Sequence, residues 1–177
     1  MELAGVLAAK QKQILELWTE RTLDSYTTPG FFKKSRDLFA NPVGVQIRNT
    51  LTRLFTLLRE GAEPEALIQP LDRVVRIRAV QEFTASQAVV PFLELKWVVK
   101  EVLGKEALQA PLVAELNEFD CAVERMALMA FDLYCQCREQ LYRNRLNELK
   151  SGRALFTDGG CPSRFLDAET AQETDGK

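Results

Sequence analysis

The chain has 177 residues, with 23 Lys plus Arg against 25 Asp plus Glu, and it contains no histidine. The missing imidazole excludes Ser-His-Asp and Cys-His catalysis, His-ligated metals and His-ligated haem. A net charge of −2 gives no basic surface for nucleic acid, and no apolar run reaches the roughly 20 residues that span a bilayer. We therefore expect one cytoplasmic domain with no membrane span and no nucleic-acid partner.

The first sixty residues are predicted to form three helices. The first covers about residues 2–25 and a short second one covers 32–39. Asn41 followed by Pro42 combines a favourable N-cap residue with proline at the first helical position. These two residues therefore predict a third helix, which ends at Gly61.

The next ninety residues also favour helix. Residues 62–151 include a single glycine, Gly104, among many Leu, Ala, Glu, Arg and Gln. A proline-initiated helix is predicted over 64–81. Another helix, capped by Thr84 or Ser86, is predicted to end at Gly104.

The longest predicted element is a helix over 112–150. Its apolar residues alternate spacings of four and three, a heptad pattern that is typical of paired helices. The segment 152–177 is rich in Gly, Thr, Ser and acidic residues and is predicted to be a flexible acidic tail behind a domain of 1–151. The candidate dimer seam consists of Leu112, Leu116, Phe119, Val123, Met126 and Leu133.

Three arginines lie among aliphatic residues in the stretch 72–83. Arg78 falls on the apolar side of its helix, where an unpaired charge would be costly. We expect it to pair with Glu82, four residues later, or with Glu94 or Glu101 on the next helix. The alternative is that these charges line a ligand or signalling site. The candidate signalling core therefore comprises Arg76, Arg78, Glu82 and Glu94.

No group of residues points to catalysis or to a bound metal. Cys135 and Cys137 are two residues apart on a predicted helix, so their side chains point about 200° away from each other and cannot share a metal. The paired carboxylates are predicted to lie on solvated helix faces. We expect no catalytic residues, no metal and no cofactor.

Several spaced blocks of the sequence resemble the RsbRD N-terminal domain, the sensor module of RsbT co-antagonist proteins. The main blocks are LFANPVG at 38–44, LDRVVRIRAVQEF at 71–83, and SQAV at 86–89 with Phe92 and Lys96 after it. Trp18 with YTTP at 26–29, and AFDLYCQCRE at 130–139, resemble the opening and the close of the family pattern. The resemblance covers about residues 5–150. It implies an all-α, globin-like bundle of five to seven helices without haem, which dimerises through helices and has no catalytic residues.

The resemblance also implies a role in signalling. In stress-signalling proteins such a module is fused to a STAS domain or a histidine kinase, and only 27 residues follow Lys150 here. We therefore expect a stand-alone, non-enzymatic sensor or adaptor of a bacterial pathway, active as a homodimer. Its partner would be a kinase or a STAS-type regulator, met by the basic end of the long helix and the tail.

A second hypothesis is a module that binds a small apolar molecule in a globin-like pocket. Aromatic side chains at helical spacing are as typical of an ordinary core as of a pocket. The candidate pocket residues are Phe55, Phe83, Phe92 and Trp97.

Overall fold

The computed structural model describes residues 2–26, 29–34, 41–81 and 83–151. This part of the chain has seven α-helices, one 3₁₀ helix and no strand, which confirms the predicted all-α bundle with a long last helix. The helices are α1 (Leu3–Ala9), α2 (Gln11–Asp24), α3 (Pro29–Lys34), α4 (Pro42–Arg59), α5 (Glu65–Val80), α6 (Ala85–Leu103) and α7 (Ala110–Lys150), with the 3₁₀ helix at Gly104–Leu108.

The chain divides into two units, Met1–Cys137 and Arg138–Lys177. The first unit holds the core and all sites discussed below. In the second unit the described residues form the end of α7, where Arg143 pairs with Glu139 one turn away at 2.6 Å. The predicted tail, 152–177, lies outside the described residues.

The first predicted helix is wrong in one respect, because it is two helices separated at Lys10. The Lys10 side chain explains the position of the break. Its Nζ donates to the Val102 carbonyl at 3.2 Å and pairs with Glu106 at 3.0 Å, so this residue is held against the end of α6. A periodicity that runs through both helices does not reveal such a tertiary contact.

The start of α4 is confirmed at Asn41-Pro42. The Asn41 Oδ1 accepts from the Gly44 N–H at 2.9 Å, which satisfies one of the free amides of the first turn. Its Nδ2 donates to the Phe32 carbonyl at 2.6 Å, so the cap also ties α4 to α3. The short second helix begins earlier than predicted, at Pro29, and residues 35–39 of that prediction lie outside the described part.

Of the two predicted caps of α6, Thr84 and Ser86, the structure shows Thr84. Its hydroxyl accepts from the Gln87 N–H, and the Gln87 side chain accepts from the Thr84 N–H, a reciprocal capping box. The helix ends at Gly104, whose φ of 54° favours glycine. Pro91 lies inside the helix.

Most of the candidate dimer seam on α7 is covered by its own chain. Five of its six side chains are buried in the core of the first unit, and the sixth, Leu133, is partly buried against that core. Ion pairs across α6 and α7 join Lys96 to Glu124 and Lys100 to Asp120, each at 2.5 Å. A heptad pattern indicates a continuous apolar stripe, but it does not show whether the cover is another chain or neighbouring helices of the same one.

Candidate functional site

Arg78 on α5 is the most deeply buried charged side chain among the described residues, with no exposed surface. Its Nη2 donates to the Ser25 hydroxyl at 2.8 Å and to the Gln87 carbonyl at 2.9 Å. Ser25 follows α2 and Gln87 lies in the first turn of α6, so one guanidinium nitrogen holds three helices together.

Pro91 explains why the Gln87 carbonyl is open to Arg78. In a regular helix the carbonyl of residue 87 would accept from the N–H of residue 91, and proline has no N–H. The carbonyl left without its helical donor lies 2.9 Å from Arg78 Nη2. The carbonyl of Pro91 itself accepts from the Trp18 indole at 2.7 Å, which fixes α2 against the same turn of α6.

Two aromatic rings enclose the guanidinium of Arg78. Its central carbon lies 4.3 Å from the centre of the Phe83 ring and 5.0 Å from that of Tyr26, and the two rings meet edge to face. Such contacts stabilise a cation, more so when water is excluded. The Phe83 carbonyl accepts from the Tyr134 hydroxyl, so this aromatic wall is connected to α7.

Three buried polar atoms of this cluster lie outside regular hydrogen-bond geometry in the described part of the chain, although the Tyr26 hydroxyl and the Arg78 guanidinium lie close enough to interact. They are Nε and Nη1 of Arg78 and the hydroxyl of Tyr26. Burial lowers the pKa of Arg78 and raises the pKa of Tyr26, because in both groups it penalises the charged form. An arginine stays protonated in proteins, and the nearby Tyr26 hydroxyl and the negative charge of Glu94 favour the charged form of Arg78.

The expected partners of Arg78 lie elsewhere or are not described. Glu94 forms its ion pair with Arg21, at 2.8 Å, and Glu101 is exposed. Glu82 lies outside the described residues. Arg78 is held by a hydroxyl, a carbonyl and two rings, and Glu94 contributes through its charge, which raises the pKa of Arg78 against the effect of burial.

Arg76 does not join this cluster. Its side chain is exposed and pairs with Asp72 one turn earlier on α5, at 2.7 Å. That hydrogen bond raises the pKa of Arg76. Sequence reasoning found Arg78 but missed Ser25, Tyr26 and Gln87. Pro91, four residues after Gln87, is the one signal that could have indicated the last of these.

A polar cleft lies between α2 and α6. Its volume is about 470 Å³, and two of its lining residues, Ser25 and Gln87, are those that bind Arg78. The Nε of Arg21 is also buried without a partner in the described region. We call this feature the α2–α6 cleft; it is lined by Arg21, Asp24, Ser25, Ser86, Gln87, Val90, Pro91 and Glu94.

The four candidate pocket residues lie in different surroundings. Phe55 and Phe92 are fully buried in the core, and Phe83 packs on its edge against Arg78. Trp97 is 47% exposed, and its ring lies under Arg21, 4.4 Å from the guanidinium carbon. Its neighbours Leu95, Val98 and Val99 are buried, which turns residue 97 to the outer side of α6.

An apolar groove lies between α6 and α7 in the first unit. It has a volume of about 830 Å³ and its largest side chains, Val90, Leu93, Leu128 and Phe131, are all exposed. We call these four residues the α6–α7 face. Glu124, which pairs with Lys96, lies at the edge of the groove. Large exposed apolar side chains next to one another are typical of interaction surfaces.

The described residues contain free thiols, but neither a group that could hold a metal ion nor a helix able to span a membrane. No three His, Cys, Asp or Glu side chains there are grouped to hold a metal ion. Cys121, Cys135 and Cys137 are free thiols. Among the described helices, none has both the length and the apolar character that a bilayer crossing requires.

Comparison with known proteins identifies the family. No curated protein and no solved structure matches the chain. The likeness to globins therefore stays a prediction. The model of one family, described as the RsbT co-antagonist protein rsbRD N-terminal domain, matches residues 12–149. The match runs from the start of α2 to the end of α7 and includes Arg78, the α2–α6 cleft and the α6–α7 face. The chain therefore belongs to the RsbRD N-terminal domain family.

Proposed function

We propose that this chain is a non-enzymatic sensor domain of bacterial stress-type signalling, and that it acts as a homodimer through protein–protein contacts. The family supports the sensor role, since its description names a domain of an RsbT co-antagonist. In this proposal the downstream partner is a kinase or a STAS-type regulator, and the site of action is the cytoplasm.

The exposed α6–α7 face is the main support for the proposed homodimer. Leu128 is 66% exposed, and Val90, Leu93 and Phe131 lie beside it on the same groove. A two-fold dimer places the same patch on both sides of the interface, so a self-complementary apolar surface is what it requires. The edge of the groove carries both signs of charge, Lys96 and Glu124, which allows each copy to meet the other without like-charge repulsion.

The same helices offer a route from a stimulus to the dimer. The Tyr134 hydroxyl on α7 donates to the Phe83 carbonyl, and the Phe83 ring covers Arg78. A change at Arg78 therefore alters the support of α7 three residues from Phe131, which belongs to the α6–α7 face. In our proposal, signalling is a small shift of α6 and α7 that changes how two copies, or a copy and its partner, fit together.

The dimer is tested with a matched pair of charge substitutions. Leu93 on the α6–α7 face is 41% exposed and Ile68 on α5 is 43% exposed, so both tolerate a polar group in the protomer. We expect Leu93→Glu to elute as a monomer in size exclusion with light scattering, because two carboxylates would be buried at a two-fold interface. We expect Ile68→Glu to keep the dimer mass of the unmodified chain.

Equal masses for the two variants would contradict the assignment of the face. Circular dichroism of both variants checks that the helices are retained, since the proposal concerns the surface and not the fold. No observation favours the alternative of an apolar ligand in a pocket, because Phe55 and Phe92 pack as ordinary core residues.

A further inference from the structure

We propose that the last part of α7, residues 138–150, docks as a helix on a partner protein that offers an apolar groove with an acidic rim. This inference rests on the sensor role proposed above and gives the chemistry of the partner's surface. It concerns the second unit alone, whereas the proposed dimer uses the α6–α7 face of the first unit.

The first argument is an apolar stripe that is uncovered in the second unit. Tyr142, Leu146 and Leu149 are each more than half exposed, and their spacings of four and three place them on one side of the helix. None of residues 138–151 is buried. A single helix of this length is only marginally stable in water without packing, so a partner that covers the stripe would stabilise it.

The second argument is the positive charge on both edges of this stripe. With about 3.6 residues per turn, Arg138 and Arg145 lie along one edge, and Arg143 and Lys150 lie along the other. The two acidic residues of the segment pair with arginines about one turn away, at 2.6 and 3.7 Å, and a net positive charge remains. The helix dipole favours cations only in the last turn, and the three arginines lie before it.

This charge pattern disfavours a second copy of the chain as the cover of the stripe. In a two-fold dimer, an axis along the helix brings opposite edges of the two copies together, and an axis across it brings the same edges together. Because both edges are basic, either arrangement sets cationic side chains against one another. A partner with carboxylates on both sides of an apolar groove avoids this repulsion and pairs with each edge.

The third argument is the arrangement of Tyr142 before any contact is made. Arg138 Nη2 donates to the Tyr142 hydroxyl at 3.1 Å, and the guanidinium carbon lies 5.2 Å from the centre of the ring. Tyrosine and arginine are enriched among the residues that contribute most to binding energy at protein interfaces. A ring that is already held in place loses less conformational freedom on binding.

A synthetic peptide with the chemistry of the partner tests this inference on the full chain. The peptide is a helix with leucine along one side and glutamate on both edges, and a second peptide carries lysine in place of glutamate. Binding is followed by the fluorescence anisotropy of the labelled peptides. We expect saturable binding of the glutamate peptide that weakens as salt is added. No binding of this peptide, or equal affinity for the lysine peptide, overturns the proposal.

Substitutions on the stripe and its edges locate the binding. Leu146→Gln, which keeps a good helix former, is expected to weaken binding of the glutamate peptide about tenfold or more. Ile68→Gln on α5 removes a similarly exposed aliphatic side chain and is expected to bind like the unmodified chain. Arg143→Gln combined with Arg145→Gln is expected to weaken binding and to reduce its salt dependence. Equal affinities for Leu146→Gln and Ile68→Gln contradict the site.

Three further measurements separate the partner protein from other covers of the stripe. Leu146→Gln is expected to have the same mass in solution as the unmodified chain, and a lower mass would make the stripe a contact between copies and overturn the proposal. A full chain with its last acidic residues neutralised is expected to bind the peptide no more tightly, and a clear gain would show that the tail already covers the stripe. The residues neutralised are Asp167, Glu169, Glu173 and Asp175.

Phosphatidylglycerol vesicles are the third probe, and we expect them not to bind the unmodified chain. Binding to vesicles that Leu146→Gln abolishes would assign the stripe to a lipid surface and overturn the proposal. A monomeric unmodified chain would contradict the dimer alone, since peptide binding is measured separately from mass.

Discussion

Single side chains set the ends of helices, and Asn41 at the start of α4 shows how closely such a residue is packed. Its amide caps α4 through the Gly44 N–H and holds the Phe32 carbonyl through Nδ2. A Cβ on Gly44 would lie 2.7 Å from the Asn41 Oδ1, closer than real Cβ atoms come to any heavy atom. Glycine is needed here for space and not for an unusual backbone angle.

We therefore predict that Gly44→Ala destabilises the protein, although alanine is the better helix former. The substitution displaces the Asn41 cap, and loss of an N-cap costs about 1 kcal/mol. Thermal or urea unfolding measures the change.

Gly5→Ala in α1 is the matched control. A Cβ there meets nothing within 4 Å, so the helix propensity of alanine should stabilise the protein by roughly 0.5–1 kcal/mol. A Gly44→Ala variant as stable as Gly5→Ala would show that the cap does not depend on this glycine.

The sequence predicted the helix caps correctly but did not predict the partners of Arg78. Asn41 and Thr84 were found because a cap depends on neighbours within four residues. Arg78 was recognised as a charge on an apolar stripe, yet its partners were not. Ser25 lies 53 residues away in sequence, and Gln87 contributes a backbone carbonyl, which no side-chain pattern reveals.

At the scale of helices, α6 and α7 are joined by charge as well as by the core. Lys96 and Glu124 pair at 2.5 Å, and this contact raises the pKa of Lys96 and lowers the pKa of Glu124. A carboxyl group with a lowered pKa in the folded state stabilises the fold above its ordinary pKa of 4.5 and loses that contribution as the pH falls through its folded-state pKa.

We predict that Glu124→Gln reduces the acid sensitivity of the protein. Between about pH 5.5 and about pH 3.5 the melting temperature of the unmodified chain should fall slightly more than that of the variant. The effect is small because the pair is exposed to solvent. Glu101→Gln, at an exposed position on α6, is the control and should retain the acid sensitivity of the unmodified chain. If the melting temperature of Glu124→Gln depended on pH in the same way as that of the unmodified chain, the proposed contribution of the Lys96–Glu124 ion pair would be contradicted.

Helix α7 also shows what the periodicity of apolar residues cannot predict, which is the surface that packs on them. The spacing of Leu112, Leu116 and Phe119 correctly predicted a long apolar stripe, but these residues pack on the core of their own unit. The candidate contact surface is the neighbouring side of the same helix, at Leu128 and Phe131. One apolar side of α7 is buried by neighbouring helices and the other is exposed. Which side is buried depends on tertiary packing, and the spacing of apolar residues does not predict that packing.

On the scale of the whole molecule, the fold leaves an apolar groove open between two helices that ion pairs already join. Burying that groove against a second copy removes exposed Leu and Phe side chains from water, which is the main favourable term in association. The Arg78 cluster contacts α6 at Gln87 and reaches α7 through Phe83 and Tyr134. This arrangement connects the Arg78 cluster to the two helices that carry the α6–α7 face.

The central claim is that this sensor domain works as a homodimer, and sedimentation equilibrium of the unmodified chain tests it most directly. The account predicts a mass of twice the 20.1 kDa of one chain at micromolar concentration. A mass of 20.1 kDa throughout a concentration series would contradict it.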